Sequence, residues 1–379
     1  MSTATQQWGR RLSDSLRAAL AGGDLAGARR LVLEGDGQTR DLAREYTFMV
    51  RGLAITVRVL IELLGETASR APAAQRDSAS AQLAALLQRL RDDLAAVTDE
   101  APVHLADGAL ADGVAHPGAD QPRRALGEEQ ALTVQALAPM QVRFDAWHAR
   151  LASETAAAIE DRDVDRALAL IDAKEQTAWL PLHDRLVRFM AESFAWVLQQ
   201  FGADELLHFH LATAAGQRAG FDKWERMPAA EFARASAFLL KQHMGEVAVR
   251  EDDEKFTIAQ TPCGSGGRLQ SAGAYAGSDA LPMVETAGPL TFGLPRLPIY
   301  CSHCAIWNGL ATLRWFGRAH WVFEQPARAD GGCTLHIYKR HDGTPHDYAT
   351  RLGVVVGATR ADCTGATVTR SGDDDPERT

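Results

Sequence analysis

The chain repeats itself, and the repeat decides most of what its first two-thirds can fold into. Trp8, Leu12, Asp24, Ala28 and Leu31 recur at one constant offset as Trp147, Leu151, Asp163, Ala167 and Leu170. A second segment follows in each copy, DLAREYTFMVRGLAITVRVLIELLG over 41–65 and WLPLHDRLVRFMAESFAWVLQQFG over 179–202. Such spacing over several residue types marks an internal duplication. Leu42, Tyr46, Met49, Leu53, Val57, Leu60 and Leu64 keep a three-then-four spacing, as do Leu180, His183, Val187, Met190, Phe194, Val197 and Phe201. That period predicts one apolar helix face in each copy, with Gly65 and Gly202 as C-terminal stops. Each unit is then a helix pair, and two amphipathic pairs bury their stripes against each other as a bundle. The helical repeats are assigned to 1–98 and 131–244. The intervening 99–130, rich in Asp, Gly, Pro and Ala without an apolar period, reads as a flexible linker.

After a further helix over 229–244, the period changes. Val247, Val249, Phe256 and Ile258 alternate with polar residues around a charged EDDEK turn, which is a hairpin signal. A second strand pair is expected at 321–324 and 334–338, joined by the Asp330–Gly331–Gly332 turn. The fold class is therefore α+β: a duplicated helical-bundle region followed by a small α/β domain with an antiparallel sheet over 245–360. Residues 361–379, ending in SGDDDPERT, are expected to be disordered.

A length of 379 residues fits two or three domains. The net charge of −9 comes without a basic stripe, which argues against nucleic acid and for a small-molecule or protein partner. The apolar run from Gly52 to Leu64 is too short to span a bilayer and is interrupted by Arg58 and Glu62, so no membrane partner is expected. MSTATQQWGRRL lacks the apolar core of a signal peptide, which suggests a cytoplasmic protein. The duplicated helices can pair within one chain or across a homodimer.

All five cysteines lie beyond residue 262. An odd number in so long a chain is no disulfide framework, and in a reducing compartment the thiols are metal ligands, nucleophiles or buried side chains. The dense stretch holds TPCGSGGR, PIYCSHCAIWNG and ADGGCTLHIYKR. Cys301 and Cys304, a Cys-x-x-Cys pair, can present two thiolates to one Zn²⁺, with Cys263 as third ligand and His303 or solvent as fourth. The competing reading is buried or redox-active thiols without metal. Gly264, Gly266 and Gly267 free successive backbone N–H groups for an anion nest, and Arg268 can grip a carboxylate with two prongs. A plain glycine-rich turn explains the same residues. Cys263 is the candidate nucleophile and His303 the candidate proton carrier. His183 falls on an apolar stripe beside Asp184. It either faces a pocket as a catalytic group or is a core histidine with a hydrogen-bonded ring. His208 and His210, two apart on a helix, point in different directions, and His243 says little alone.

In its order of motifs, FTIAQTPC, then PIYCSHCAIWNGLA, then ADGGCTLHIY, the stretch 245–340 resembles the L-2-amino-thiazoline-4-carboxylic acid hydrolase-like proteins, which are akin to the 4-vinyl-reductase-type small-molecule-binding domain. The resemblance implies an α/β ligand-binding domain with Cys263, Cys304 and Cys333 at recurring cysteine positions, and sometimes a zinc. The GSGGR loop, Cys301 and the duplicated helices depart from that pattern. The leading expectation is an enzyme for a small carboxylate-bearing molecule, hydrolytic or acting on a related C–N or C–S bond at a Cys/His site with Zn²⁺. The alternatives are a ligand- or metal-sensing module without turnover and a structural zinc domain.

Overall fold

The computed structural model describes residues 3–96, 125–328 and 330–354. Most of the expected linker, 99–124, the expected disordered tail and Cys363 lie outside the described residues.

The first repeat comprises α1 (Thr3–Gln6), α2 (Leu12–Ala21), α3 (Leu25–Glu34), α4 (Thr47–Ser69) and α5 (Ala73–Ala95). The second comprises α6 (Leu126–Glu160), α7 (Val164–Asp172) and α8 (Leu180–Gly216), followed by α9 (Arg218–Glu225) and α10 (Ala229–Gln242). The α2–α3 and α6–α7 turns are the same object. Asp24 and Asp163 cap the second helix by accepting from the N–H groups of Gly27 and Arg166 at 2.8 and 3.0 Å. The residue before each cap, Gly23 at φ +74° and Arg162 at φ +60°, is left-handed. The two turns then pack on each other: Leu12, Leu16, Leu20, Ala28 and Val32 share one apolar cluster with Ala158, Ile159, Ala167 and Ile171. The repeats thus pair within one chain.

Two glycine expectations need correction, and the linker ends earlier than expected. Gly65 lies inside α4, which runs on to Ser69. A Cβ on Gly65 would sit 2.1 Å from the Gln130 side chain, whose amide donates to the Ile61 carbonyl at 2.6 Å. Glycine is there so that α6 can lie close, and not to stop a helix. That packing also draws residues 126–130, assigned by sequence to the linker, into the start of α6. Gly202 does break its helix, at φ +86° and ψ −179°, but α8 resumes beyond it. The segment Ala173–Trp179 is a π-helical turn joining α7 to α8.

Four antiparallel strands follow in the order β1 (Val247–Glu251), β2 (Lys255–Gln260), β6 (Cys333–Tyr338), β5 (Val322–Gln325), with Gln260 opposite Cys333 in the register. Both expected strand pairs are present. Between them lie α11 (Gly266–Ser271), the short pair β3 (Met283–Val284) and β4 (Leu297–Pro298), α12 (Ser302–Ala305), a π-helical turn Ile306–Leu310 and α13 (Ala311–Phe316), and α14 (His346–Arg351) follows β6. Phe194, Phe209 and Trp179 of the bundle share one continuous core with Phe256, Leu269, Trp307 and Leu335 of the C-terminal part. The α+β architecture therefore has no packing gap at residue 244. Among the described residues no helix is long and apolar enough to cross a membrane.

A candidate thiolate site

Strand β2 ends at Gln260, passes a cis Thr261–Pro262 peptide and delivers Cys263 to the start of a tight loop. The Cys263 N–H donates to the Gly331 carbonyl at 2.8 Å, fastening this loop to the β5–β6 connection. Contact this close requires glycine. A Cβ on Gly267 would fall 1.9 Å from the Gly331 oxygen, and one on Gly264 would fall 2.0 Å from the His243 oxygen. Gly266 faces Cys301, whose sulfur would lie 2.9 Å from a Cβ at that position.

Cys263, Cys301, Cys304 and Cys333 all line one small, partly open cavity of about 30 Å³, lined otherwise by Tyr300, Phe292, Phe323, Pro326, Ala327 and the loop glycines. The volume suits a water or two. The thiols differ sharply in charge preference. A hydrogen bond from the Cys333 thiol, reinforced by the N–H groups of Gly267 and Ser265 and by the Ser265 hydroxyl, outweighs burial and lowers Cys263 to about 5. The Ser265 oxygen is 3.6 Å from its sulfur. Cys333 is pushed up because it donates to Cys263, and by burial. Burial and the neighbouring Cys263 charge push Cys301 up, and burial with Cys301 and Cys263 does the same to Cys304. Cys263 is thus the one cysteine of the cavity shifted toward its charged form, and the other three are shifted toward the neutral one. Of the glycines expected to form an anion nest, Gly267 offers its N–H to the Cys263 sulfur, alongside the N–H of Ser265.

His303 presents Nδ1 to the Tyr300 carbonyl and lies with Nε2 3.4 Å from the Cys304 sulfur. A carbonyl only accepts, so Nδ1 carries the proton and Nε2 accepts from the Cys304 thiol. Burial drops His303 to about 4. It is a neutral acceptor at pH 7 and a weak base, which limits the proton-carrying role assigned to it from sequence. The expected zinc ligands share the cavity wall, yet among the described residues no three His, Cys, Asp or Glu side chains gather in a metal-holding arrangement. Cys263 is turned to Cys333, and Cys304 to His303. The donors as folded do not fit a zinc cage.

Arg268 also departs from expectation. It rises from α11 to Asp184 of α8, with Nη2 2.6 Å from Oδ2 and Nε 3.3 Å from Oδ1. Its fork is therefore filled by a protein carboxylate. The same Asp184 accepts from His183 Nδ1 at 2.9 Å, and His183 Nε2 lies 2.7 Å from His243 Nδ1. Burial works against ionised Asp184, but the bonds from His183 and Arg268 hold it below the usual carboxylate range. Since Asp184 only accepts, His183 Nδ1 carries the proton of that bond. His183 is fully buried, and it joins the bundle to the cysteine loop without reaching the cavity lining. His210 is buried too, and its Nε2 donates to Ser302 Oγ at 2.9 Å, fixing α12 against α8. Sequence reasoning placed Cys333 only through the resemblance and passed over Ser265 and His243. The Gly-Gly-Cys triplet opening β6 was the available signal for Cys333.

No protein-family model, curated protein or solved structure matches this chain. The likeness to the thiazoline-carboxylate hydrolase-like proteins therefore rests on the motif order in 245–340 alone.

Proposed function

We propose that the C-terminal part is an enzyme domain that uses Cys263 as a covalent nucleophile on a small electrophilic carbon bound to nitrogen or sulfur. The observation that carries this is the placing of Cys263 beside three other cysteines in a small, partly open apolar pocket, where neighbouring donors lower its thiol while burial raises the other three. A thiolate at pH 7 is the reactive form of cysteine. In the first half-reaction the Cys263 sulfur bonds to the carbon, the C–N or C–S bond breaks, and the departing atom leaves with its electron pair and takes a proton. Water then cleaves the new S–C bond, returning the thiolate and releasing a proton. The Ser265 and Gly267 N–H groups stabilise the free thiolate, and the apolar walls favour a small substrate with little charge. A carboxylate anchor at Arg268 is not part of the proposal, because that side chain is paired with Asp184. Zinc is not part of it either, for the donor arrangement given above. A reducing compartment suits a site built on free thiols.

The test uses a small aryl thioester as probe. A burst of released aryl thiol and an acyl adduct mapped to Cys263, both lost in Cys263→Ser, support the reading. Adduct formation spread over several cysteines, or unchanged in Cys263→Ser, overturns it. Saturable binding of the probe with neither burst nor adduct would instead favour the sensing module.

A further inference from the structure

The cavity sets a second sulfur, on the strand paired with the one that leads to Cys263, beside the nucleophile. Cys333 opens β6 directly opposite Gln260 of β2, and Cys263 follows Gln260 by only three residues. The loop carrying Cys263 is tied to the residues just before Cys333 by the Cys263 N–H to Gly331 bond at 2.8 Å. Cys263 and Cys333 both line the same small cavity. Gln260 Nε2, 3.0 Å from the Cys333 sulfur, holds that side chain in place. The other two thiols are engaged elsewhere: Cys304 faces His303 at 3.4 Å, and Cys301 is wedged against Gly266.

We propose that Cys263 and Cys333 are a peroxide-sensitive dithiol that closes to a disulfide and reopens with thiol reductants, switching the Cys263 nucleophile off and on. The inference rests on the reading of Cys263 as the reactive thiolate. In the first step the Cys263 thiolate attacks one oxygen of a hydroperoxide. The S–O bond forms, the O–O bond breaks, and the other oxygen leaves and takes a proton, as water or an alcohol. In the second step the Cys333 sulfur attacks the sulfenic sulfur. The S–S bond forms, the S–O bond breaks, and hydroxide leaves with the Cys333 proton as water. Two external thiols reverse the reaction, becoming one disulfide while the protein regains both hydrogens. Both sulfurs line one small cavity and their backbones are held together by the β2–β6 register and the Cys263–Gly331 bond, so closure calls for side-chain rotation rather than movement of an element.

The experiment treats the full chain with stoichiometric hydrogen peroxide near neutral pH, then maps disulfides and counts fast-alkylating thiols. The expected product has lost two hydrogens, carries a Cys263–Cys333 bond and no longer reacts fast with iodoacetamide. Dithiothreitol should restore the reaction fully. In Cys333→Ser the expected product is a Cys263 sulfenic acid, trapped by dimedone. A Cys301–Cys304 bond in the wild type, or over-oxidation of Cys263 without any disulfide, overturns the inference. Alkylation of untreated protein separates the two claims. Fast reaction at Cys263 without disulfide formation sinks only the switch, whereas slow reaction sinks the thiolate reading as well. The wild-type map decides the matter even if the variant does not fold.

Discussion

The two halves of this molecule both bury ionised groups, and they treat them in opposite ways. In the bundle each buried charge meets its opposite. Lys174 bonds Glu45 at 3.0 Å and lies over the Tyr46 ring, while Glu175 accepts from Tyr46 and pairs with Arg17 at 2.7 Å. In the C-terminal site the groups that hold the Cys263 charge are a thiol, a hydroxyl and two backbone N–H groups, all neutral. Compensation by a counter-charge produces a closed, inert cluster that locks the π-helical turn before α8 to the segment entering α4 and to Arg17 of α2. Stabilisation by neutral donors keeps a charge available for bond formation. The difference separates a structural use of burial from a chemical one.

The largest expected effect tests the compensated half. Lys174→Ala should leave Glu45 buried without its cation and cost about 3–5 kcal/mol, read from urea unfolding. A Lys174→Met, Glu45→Gln double variant should recover most of that loss. Equal losses in the single and double variants would mean that packing, and not charge, carries the cluster.

Arg268→Ala comes next. It removes one of the two partners that hold Asp184 and should destabilise by about 1–3 kcal/mol, with the rate of Cys263 alkylation unchanged. A large change in that rate with little change in stability would return Arg268 to the cavity.

Acidification probes both halves together. Cys263 is lowered in the fold to about 5, so its contribution is fully present above the unfolded thiol value and is lost as pH falls through the folded one. Burial lowers His148, His210 and His243, so they are neutral in the fold but take up protons when unfolded below about pH 6.5. Both effects have the same sign, and the urea midpoint should fall between about pH 8 and about pH 5. Cys263→Ser should flatten the upper part of that curve and leave the lower part.

The smallest effects concern the repeat. Asp24→Ala and Asp163→Ala each remove a cap with the same geometry and should each cost about 1 kcal/mol. Clearly unequal costs would show that the two turns are alike only in shape.

The duplication, the helical stripes and both strand pairs could be read from the sequence because they rest on periodicity and turn chemistry, which are local. Gly65 misled because its role is set by Gln130, a contact far away in the chain. Arg268 misled for the same reason, since Asp184 reaches it from another helix. The glycine loop left a nest and a plain turn equally open in sequence, because its neighbours, Cys333 and Gly331, come from β6 and the turn before it, about seventy residues on. The π-helical turns at 173–179 and 306–310 leave no period to find.

The most direct measurement is a pH titration of thiolate ultraviolet absorbance, wild type minus Cys263→Ser. A single transition with its midpoint near 5 is the expected result. A midpoint near the ordinary thiol value of about 8.5 would contradict it, because Cys263 would then be one more protonated thiol in the cavity wall.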